Sequence, residues 1–421
     1  MVRRLRWLIW EAVYWLPAWM VALLWRSLMF RTKFIAVTGS FGKTAAKDCL
    51  AAILARCAPS VSTRGNSNGR AGIIRTILRV RPWHHYAVIE AGTEKPGNLW
   101  RASLLIRPDV AVILSVGRMH TQSLRTLEDV AAEKARMLRF LRRGGIAVLN
   151  GDDPYVAAMA AKVRGRVLTF GSGPHHDVRC TDASSIWPER LSFAVEYRGE
   201  KSKVTTQMPG VHRVGSVAGA IAGAIAAGAG LGEAVEAVRE VKPYTARLEP
   251  ADLPCGAVVL RDEFNSSIDS FRAAVEVLRE ARAGRRILII SDCSDWNKKP
   301  RERTQYYART ATRCADAVVF LGERAEYGVA YALREGMPGG TVWGFMRWQQ
   351  AAAFLRGELR KGDLVLLRGL NCEHLSRLYF SLRGTVECHL ERCEIHHTCD
   401  TCPKLGFVPD TAAPRIPACA E

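Results

Sequence analysis

Residues 34–44, Phe-Ile-Ala-Val-Thr-Gly-Ser-Phe-Gly-Lys-Thr, constrain this chain more than any other stretch. An apolar run ends in a glycine-rich turn, then Lys43-Thr44, then a helix-like segment over residues 45–56. In that order, backbone N–H groups and a helix N-terminus face a phosphate, Lys43 adds positive charge, and the Thr44 hydroxyl can reach a magnesium ion. The long pattern G-x-x-x-x-G-K-[ST] needs glycine at position 37, where this chain has Val37. The tighter Thr38-Gly39-x-x-Gly42-Lys43-Thr44 is intact. The bland alternative is an ordinary strand–turn–helix corner. Nucleotide binding through Gly39, Ser40, Gly42, Lys43 and Thr44 is the expectation.

From residue 34 to about 243, apolar runs alternate with helical patterns. Residues 86–91, 110–116 and 146–149 are apolar enough for buried parallel strands. Residues 98–106 and 127–141 predict helices between them. Residues 177–209 alternate instead, through Phe193, Val195 and Tyr197, and predict a small antiparallel excursion. The alanine- and glycine-rich stretch 215–230 predicts a closely packed helix. A second pattern begins at 244 and runs to about 385, with strands over 257–260, 286–290, 317–321 and 364–367. Lys242-Pro243-Tyr244 reads as the hinge. The expected fold class is α/β: a P-loop parallel-sheet central domain (34–243) with that antiparallel excursion, plus a second Rossmann-like α/β domain (244–385).

The flanks differ. Residues 1–33 are hydrophobic and rich in Trp and Arg: Arg3, Arg4 and Arg6 precede Trp7, Trp10, Trp15, Trp19 and Trp25, and Arg26, Arg31 and Lys33 close the segment. Its uncharged part, 12–25, falls short of the ~20 residues of a spanning helix. Tryptophans flanked by arginines suit a membrane interface. An interfacial or re-entrant anchor, a true span and a helix docked on protein all stay open. A cleaved signal peptide is not expected, because no small-residue cleavage site precedes the phosphate loop. The net charge of +19 also suggests an anionic partner such as a membrane surface. The basic residues are spread out and no nucleic-acid module is visible, so no nucleic acid is expected. Most of the twelve cysteines are isolated, as free thiols in a reducing compartment would be. The expected location is the cytoplasmic face of the membrane. In the tail, 386–421, Cys388, Cys393, Cys399 and Cys402 follow a C-x4-C-x5-C-x2-C spacing, with His389, His396 and His397 nearby. A structural zinc, an iron–sulfur cluster or free thiols remain open. A catalytic zinc is not expected, since four thiolates leave no open position.

Further polar groups stand where ligands sit in such sheets: Glu90, His120 and Asn150 at or after strand ends, and Lys134 in a helix. Singly, each has a bland reading as a solvated end, an incidental histidine, a turn or a solvated face. Together their order and spacing resemble the Mur ligase family, the ATP-dependent amide ligases of peptidoglycan synthesis, with the nearest likeness to the member that adds D-alanyl-D-alanine. Residues 38–44 resemble the family's phosphate loop. Residues 65–69, with Asn66, resemble its asparagine-bearing turn. Residues 86–92 with Pro96-Gly97 resemble the segment of a magnesium-binding glutamate. Arg107-Pro108-Asp109-Val110 leads to His120, and residues 127–134 resemble the helix whose lysine is carbamylated. Gly210-Val211-His212, Ala246-Arg247-Leu248-Glu249 and Asp262-Glu263-Phe264-Asn265 match three later motifs.

The resemblance implies ATP and magnesium, and catalytic roles for Lys43, Glu90, His120, Lys134 and Arg247. A carboxylate is a poor acceptor for an amine until phosphorylation gives it a good leaving group. Lys43 and two magnesium ions would offset the phosphate charge. Thr44 would hold the first ion, Glu90 and His120 the second, and a carbamate on Lys134 would serve the metal pair. Asn66, Asn150 and His212 would contact the nucleotide, and Arg247 would reach its γ-phosphate on domain closure. Asp262 and Asn265 would hold the ribose or position the amine. The implied partners are an amino-acid or peptide amine and a carboxylate acceptor. The chain departs from the pattern at Arg213 and Ser216, where asparagines are usual, at Ser267, and over 366–371, where a Lys-Gly-Ser run is usual. Only 33 residues precede the first strand, so a UDP-sugar-gripping domain is not expected, and the acceptor is expected to be lipid- or polymer-linked. A polyglutamate-type synthase and a catalytically silent ATP-binding scaffold are the other readings.

Overall fold

The computed structural model describes residues 15–93, 95–117, 124–264, 267–293, 296, 298–390, 393 and 398–410. His120, Asn265, His396 and His397 lie outside the described residues, as does the first part of the Trp/Arg segment. The chain forms two compact units. One is Met1–Ser184, Leu191–Gln207 and Val211–Val241; the other is Ser185–Arg190, Met208–Gly210 and Lys242–Glu421.

The first unit is built on β1 (Lys33–Thr38), β2 (Ser60–Ser62), β3 (Tyr86–Glu90), β4 (Val110–Ile113), β5 (Ile146–Asn150), β6 (Arg166–Gly171), β7 (Val178–Ser184), β8 (Ser192–Tyr197) and β9 (Glu200–Thr205). These join in one sheet, ordered β2-β3-β1-β4-β5-β6-β7-β8-β9. Pairing is parallel as far as β7 and antiparallel from β7 to β9. The parallel strands are covered on both faces, so they read as unbroken apolar runs; Phe34 to Val37 are wholly buried. The antiparallel excursion is the edge of this same sheet. There Phe193 and Val195 are buried while Ala194 and Glu196 are half-buried, as one-sided covering requires.

The helix expected over 127–141 ends early. It runs Leu127–Ala135 and continues as a 3-10 turn, Arg136–Phe140. Ser103 explains the change: its hydroxyl donates to Met137 O (2.7 Å) and accepts from Phe140 N–H (3.3 Å), groups that a continuing α-helix would use within itself.

Part of the Trp/Arg segment forms a helix, Leu16–Leu28, that docks on the first unit through one face. Trp25 Nε1 donates to Val80 O (3.0 Å). Arg26 is buried, lies 3.7 Å over the Phe34 ring, and donates to Ile106 O (2.6 Å) and Arg107 O (2.9 Å). Those carbonyls end the helix Asn98–Ile106, where orphan C=O groups and the negative end of the dipole favour a cation. Burial pushes the Arg26 guanidinium down to about 10, against the pull of Asp109. The opposite face of Leu16–Leu28 is apolar and exposed: Leu16, Met20, Val21, Leu24 and Leu28 are each more than half accessible, and Phe30 follows at 67%. Among the described residues, no helix is long and apolar enough to cross a membrane.

The second unit holds β10 (Glu249–Asp252), β11 (Val258–Arg261), β12 (Arg285–Ile290), β13 (Ala317–Leu321), β14 (Val342–Phe345) and β15 (Asp363–Arg368), ordered β10-β11-β15-β12-β13-β14. Only β10 is antiparallel to its neighbour. Two apolar clusters fill its faces, one around Phe271 and Tyr307, the other around Trp348 and Leu378. A short antiparallel pair, β16 (Gly384–Val386) with β17 (Phe407–Pro409), closes the tail.

Candidate active site

The loop after β1 is held from below by the end of β4. Ser40 N–H donates to Ser115 O (2.9 Å), Phe41 N–H to Ser115 Oγ (3.0 Å), and Gly117 N–H to Ser40 Oγ (2.8 Å). Helix Lys43–Cys57 starts at Gly42, which has φ +76°. A Cβ on Gly42 would stand 2.0 Å from Ser216 Oγ, and one on Gly39 would stand 2.9 Å from Leu114 Cβ. Glycine is therefore required at both places, by backbone conformation at Gly42 and by close approach at both. The helix has no side-chain N-cap and no acidic residue in its first turn. Its first N–H groups therefore lack helical partners and face the loop, as a phosphate site needs. Lys43 Nζ donates to Gly39 O (2.8 Å) and Ser40 O (3.2 Å), keeping its charge at the loop.

Register brings Glu90 to this loop, because β3 pairs with β1 and sets Glu90 opposite Val37. Glu90 is wholly buried. Its Oε1 accepts from Asn68 Nδ2 (2.7 Å) and Thr44 Oγ1 (3.3 Å), while Oε2 is buried without a hydrogen-bond partner. Such an oxygen carries a desolvation penalty that a cation would remove. Thr44 and Glu90 thus fit a divalent cation beside a phosphate, although no three His, Cys, Asp or Glu side chains already converge as metal ligands among the described residues. Asn68, rather than Asn66, reaches Glu90. Asn66 contributes its carbonyl, which accepts from Asn68 N–H (2.7 Å). The turn also packs tightly on Gly92, where a Cβ would meet Asn68 Oδ1 at 2.5 Å.

Lys134 is buried in the last turn of its helix. Burial, then the charge of Lys43, pushes its amine well below the usual lysine range, with Glu133 and Asp153 pulling the other way. Glu133 beside it accepts from Gly97 N–H (2.8 Å) and Leu99 N–H (2.9 Å), capping the N-terminus of Asn98–Ile106. That helix has no cap of its own, so Glu133 and Arg26 satisfy its two ends from elsewhere. Asn150 stitches strand ends together: its amide donates to Leu114 O (2.8 Å) and its Oδ1 accepts from Asp152 N–H (3.1 Å). His212 is exposed on the turn Val211–Arg213, which leads into helix Val214–Ala227 and brings Ser216 against Gly42.

In the second unit, the Arg247 guanidinium lies 5.0 Å from the Phe264 ring centroid and 5.7 Å from that of Tyr244. Asp262 is buried and already engaged. Leu248 N–H donates to its Oδ1 (3.0 Å), and the buried Arg368 holds its Oδ2. Arg368 also donates to Ser267 O (3.1 Å) and Ser270 Oγ (2.5 Å). Asn68, Ser115, Glu133 and Arg368 were not picked out from sequence. Asn68 lies in the asparagine-bearing turn, Glu133 in the motif helix 127–134 and Arg368 in the departing run 366–371, whereas Ser115 carried no mark of its own.

Known proteins resemble this chain over most of its length. A profile described as Mur ligase middle domain matches residues 37–224, and one described as Mur ligase, glutamate ligase domain, matches residues 246–370. The chain belongs to the Mur ligase family. An Escherichia coli UDP-N-acetylmuramoyl-tripeptide–D-alanyl-D-alanine ligase is 30% identical over 274 residues, covering 64% of this chain and 60% of that protein. The Mycobacterium tuberculosis ligase of the same name is 27% identical over 374 residues, covering 84% and 73%. A crystal structure of MurF from Acinetobacter baumannii superposes with a TM-score of 0.79 at 25% identity, over 87% of this chain and 80% of that one. MurF from Thermotoga maritima in complex with ADP, at 20% identity and a TM-score of 0.74, shares the fold over 87% and 83%. This Mur ligase therefore has the α/β architecture expected of it, with a parallel-dominated first sheet carrying antiparallel edge strands and a second sheet unit.

Proposed function

We propose that this Mur ligase is an ATP- and magnesium-dependent carboxylate–amine ligase working through an acyl phosphate. The observation that carries the reading is the buried, partnerless Glu90 oxygen beside Thr44, at the start of the phosphate-loop helix. A magnesium ion held there would offset charge on the phosphoryl group in transfer. Lys43 would bring its ammonium from the loop carbonyls to the phosphates. Burial pushes the Lys134 amine well below the usual lysine range, which favours the unprotonated form whose lone pair would take up carbon dioxide as a carbamate, and that carbamate would serve the metal pair as a carboxylate. His120 would complete that set. Asn150 and His212 in the first unit, and Arg247, Asp262 and Asn265 in the second, are the proposed nucleotide and amine contacts. Asn68 supports Glu90, and Asn66 shapes the turn.

The relatives are named for UDP-N-acetylmuramoyl-tripeptide and D-alanyl-D-alanine. The reading here is an amino-acid or peptide amine and the carboxylate of a cell-wall, lipid-linked or surface-polymer acceptor. The exposed face of Leu16–Leu28 supports the lipid-linked choice. Its apolar side chains would enter the interface of an anionic membrane, on the cytoplasmic side, while exposed Arg31 and the net charge of +19 meet the headgroups.

The test offers purified full chain, ATP and magnesium a panel of acceptors, UDP-N-acetylmuramoyl-tripeptide and lipid-linked carboxylates among them, with D-alanyl-D-alanine and single amino acids. ADP and phosphate release coupled to a mass gain on one acceptor, abolished in Lys134→Ala, is the expected result. Tight ATP binding with no turnover on any pair would sink the ligase reading and leave a silent nucleotide binder.

A further inference from the structure

The tail carries a feature that the ligase chemistry does not use. Cys388, Cys393, Cys399 and Cys402 line one pocket, floored by His374 and Arg377. All four are free thiols. The backbone gathers them from separate short segments. Cys388 N–H donates to Leu405 O (3.3 Å), Leu405 N–H to Cys402 O (3.1 Å), Cys402 N–H to Cys399 O (3.0 Å) and Cys393 N–H to Cys372 O (2.9 Å). Cys399 and Cys402 thus flank one 3-10 turn, Cys399–Thr401. His374 Nδ1 lies 3.3 Å from Cys399 Sγ.

We propose that this pocket binds one zinc ion through the four cysteine thiolates, as a structural site. Four sulfur ligands fill a tetrahedral zinc and leave no position for substrate. The surrounding fold gives the reason for a staple. The described tail has only two three-residue strands and two 3-10 turns, too little secondary structure to hold its form by burial alone. In a reducing compartment the available cross-link is a metal rather than a disulfide. Among the described residues, no three of these thiol side chains already converge as metal ligands. Binding turns them inward, and each thiol gives up its proton as its sulfur joins the metal.

The zinc-bound turn has a definite task. Asp400, between the two cysteines of that turn, grips the buried Arg261 through Nη1 (2.6 Å) and Nη2 (2.9 Å). Arg261 also holds Glu263 (2.9 Å) and Ser376 (3.2 Å), so Asp400 braces both sides of Asp262 in the chain.

Full-length protein purified under reducing conditions from zinc-supplied cells is assayed for metal by mass spectrometry. The expected result is about one zinc per chain, lost in the double variant Cys399→Ser/Cys402→Ser. If that variant fails to fold, wild-type protein stripped by a chelator and refilled with cobalt(II) gives the second reading. Intense thiolate-to-cobalt charge-transfer absorption supports the site; its absence overturns it. Zinc below a tenth of an equivalent in wild type, unchanged zinc in the double variant, or iron with acid-labile sulfide in place of zinc would each overturn the proposal.

Discussion

Glu90→Gln separates the cost of a buried charge from its use. In the wild type, Glu90 is wholly buried and one oxygen has no partner. Leaving a buried polar group unsatisfied costs about 1–3 kcal/mol, more when it is charged. Glutamine keeps the oxygen that accepts from Asn68 and Thr44 and replaces the unpaired charged one with a neutral group. The amide NH2 is itself unsatisfied there, so without magnesium the variant gains only the difference between burying a charged and a neutral group, about 1 kcal/mol. For a unit of this size that is a rise in melting temperature of about 2–4 °C. Magnesium should reverse the order. At a hundredfold excess over Kd, a bound ion adds about 2.7 kcal/mol to the wild type, and the variant should gain almost none of it. The assay is thermal unfolding of both proteins across a magnesium titration, with ADP held constant. The two curves should cross. A variant that melts below the wild type without metal, or that gains as much from magnesium, would refute both the orphaned-charge argument and the metal assignment.

Four further outcomes follow from the same geometry. Lys134 has a folded pKa well below its unfolded value, so the unfolded chain binds more protons between the two and stability should rise with pH across that window, up to about 10.5. Lys134→Met should flatten that rise in urea titrations at pH 7 and 9 in carbon-dioxide-free buffer, and an equal slope in both proteins would contradict the burial argument. Gly42→Ala should cost about 1–2 kcal/mol for its left-handed backbone alone, plus the clash with Ser216. The pair Gly42→Ala/Ser216→Gly should recover only the clash, read by melting and ATP titration. Leu24→Glu with Leu28→Glu, on the exposed face, should abolish sedimentation with anionic vesicles while changing stability by less than about 0.5 kcal/mol. Arg26→Ala, on the docked face, should destabilise by about 2–3 kcal/mol through the orphaned Ile106 and Arg107 carbonyls. Vesicle binding that survives the double glutamate change would remove the membrane reading.

Most strands were legible because a parallel sheet covered on both faces needs uninterrupted apolar runs, and 86–91, 110–116, 317–321 and 364–367 have little else. The helix end at Ala135 was not legible, since it depends on Ser103, a residue from another helix with no local mark. The N-terminal helix was half legible. Its tryptophans and arginines suggested an interface, but two opposed faces cannot be told apart where both are apolar. The Trp25 and Arg26 contacts show which face the protein keeps for itself.

Asp262 marks the limit of motif reading. A carboxylate at a strand end looks like a free ligand, and its motif neighbours encourage that view. Parallel pairing of β11 with β15 sets Arg261 opposite Leu367, and so places Arg368 beside Asp262. Arg368 comes from the run that departs from Lys-Gly-Ser. The departure therefore has a structural consequence within its own unit: it supplies a buried counter-ion that occupies one oxygen of Asp262, while Leu248 N–H occupies the other. Removing one member of such a pair leaves the other charged and buried, at a cost of about 3–5 kcal/mol. Asp262 and Arg368 thus act as a joined support for the Arg247–Leu248 turn before they act on any ligand. A ligand that used Asp262, as proposed above, would have to share its carboxylate with Arg368.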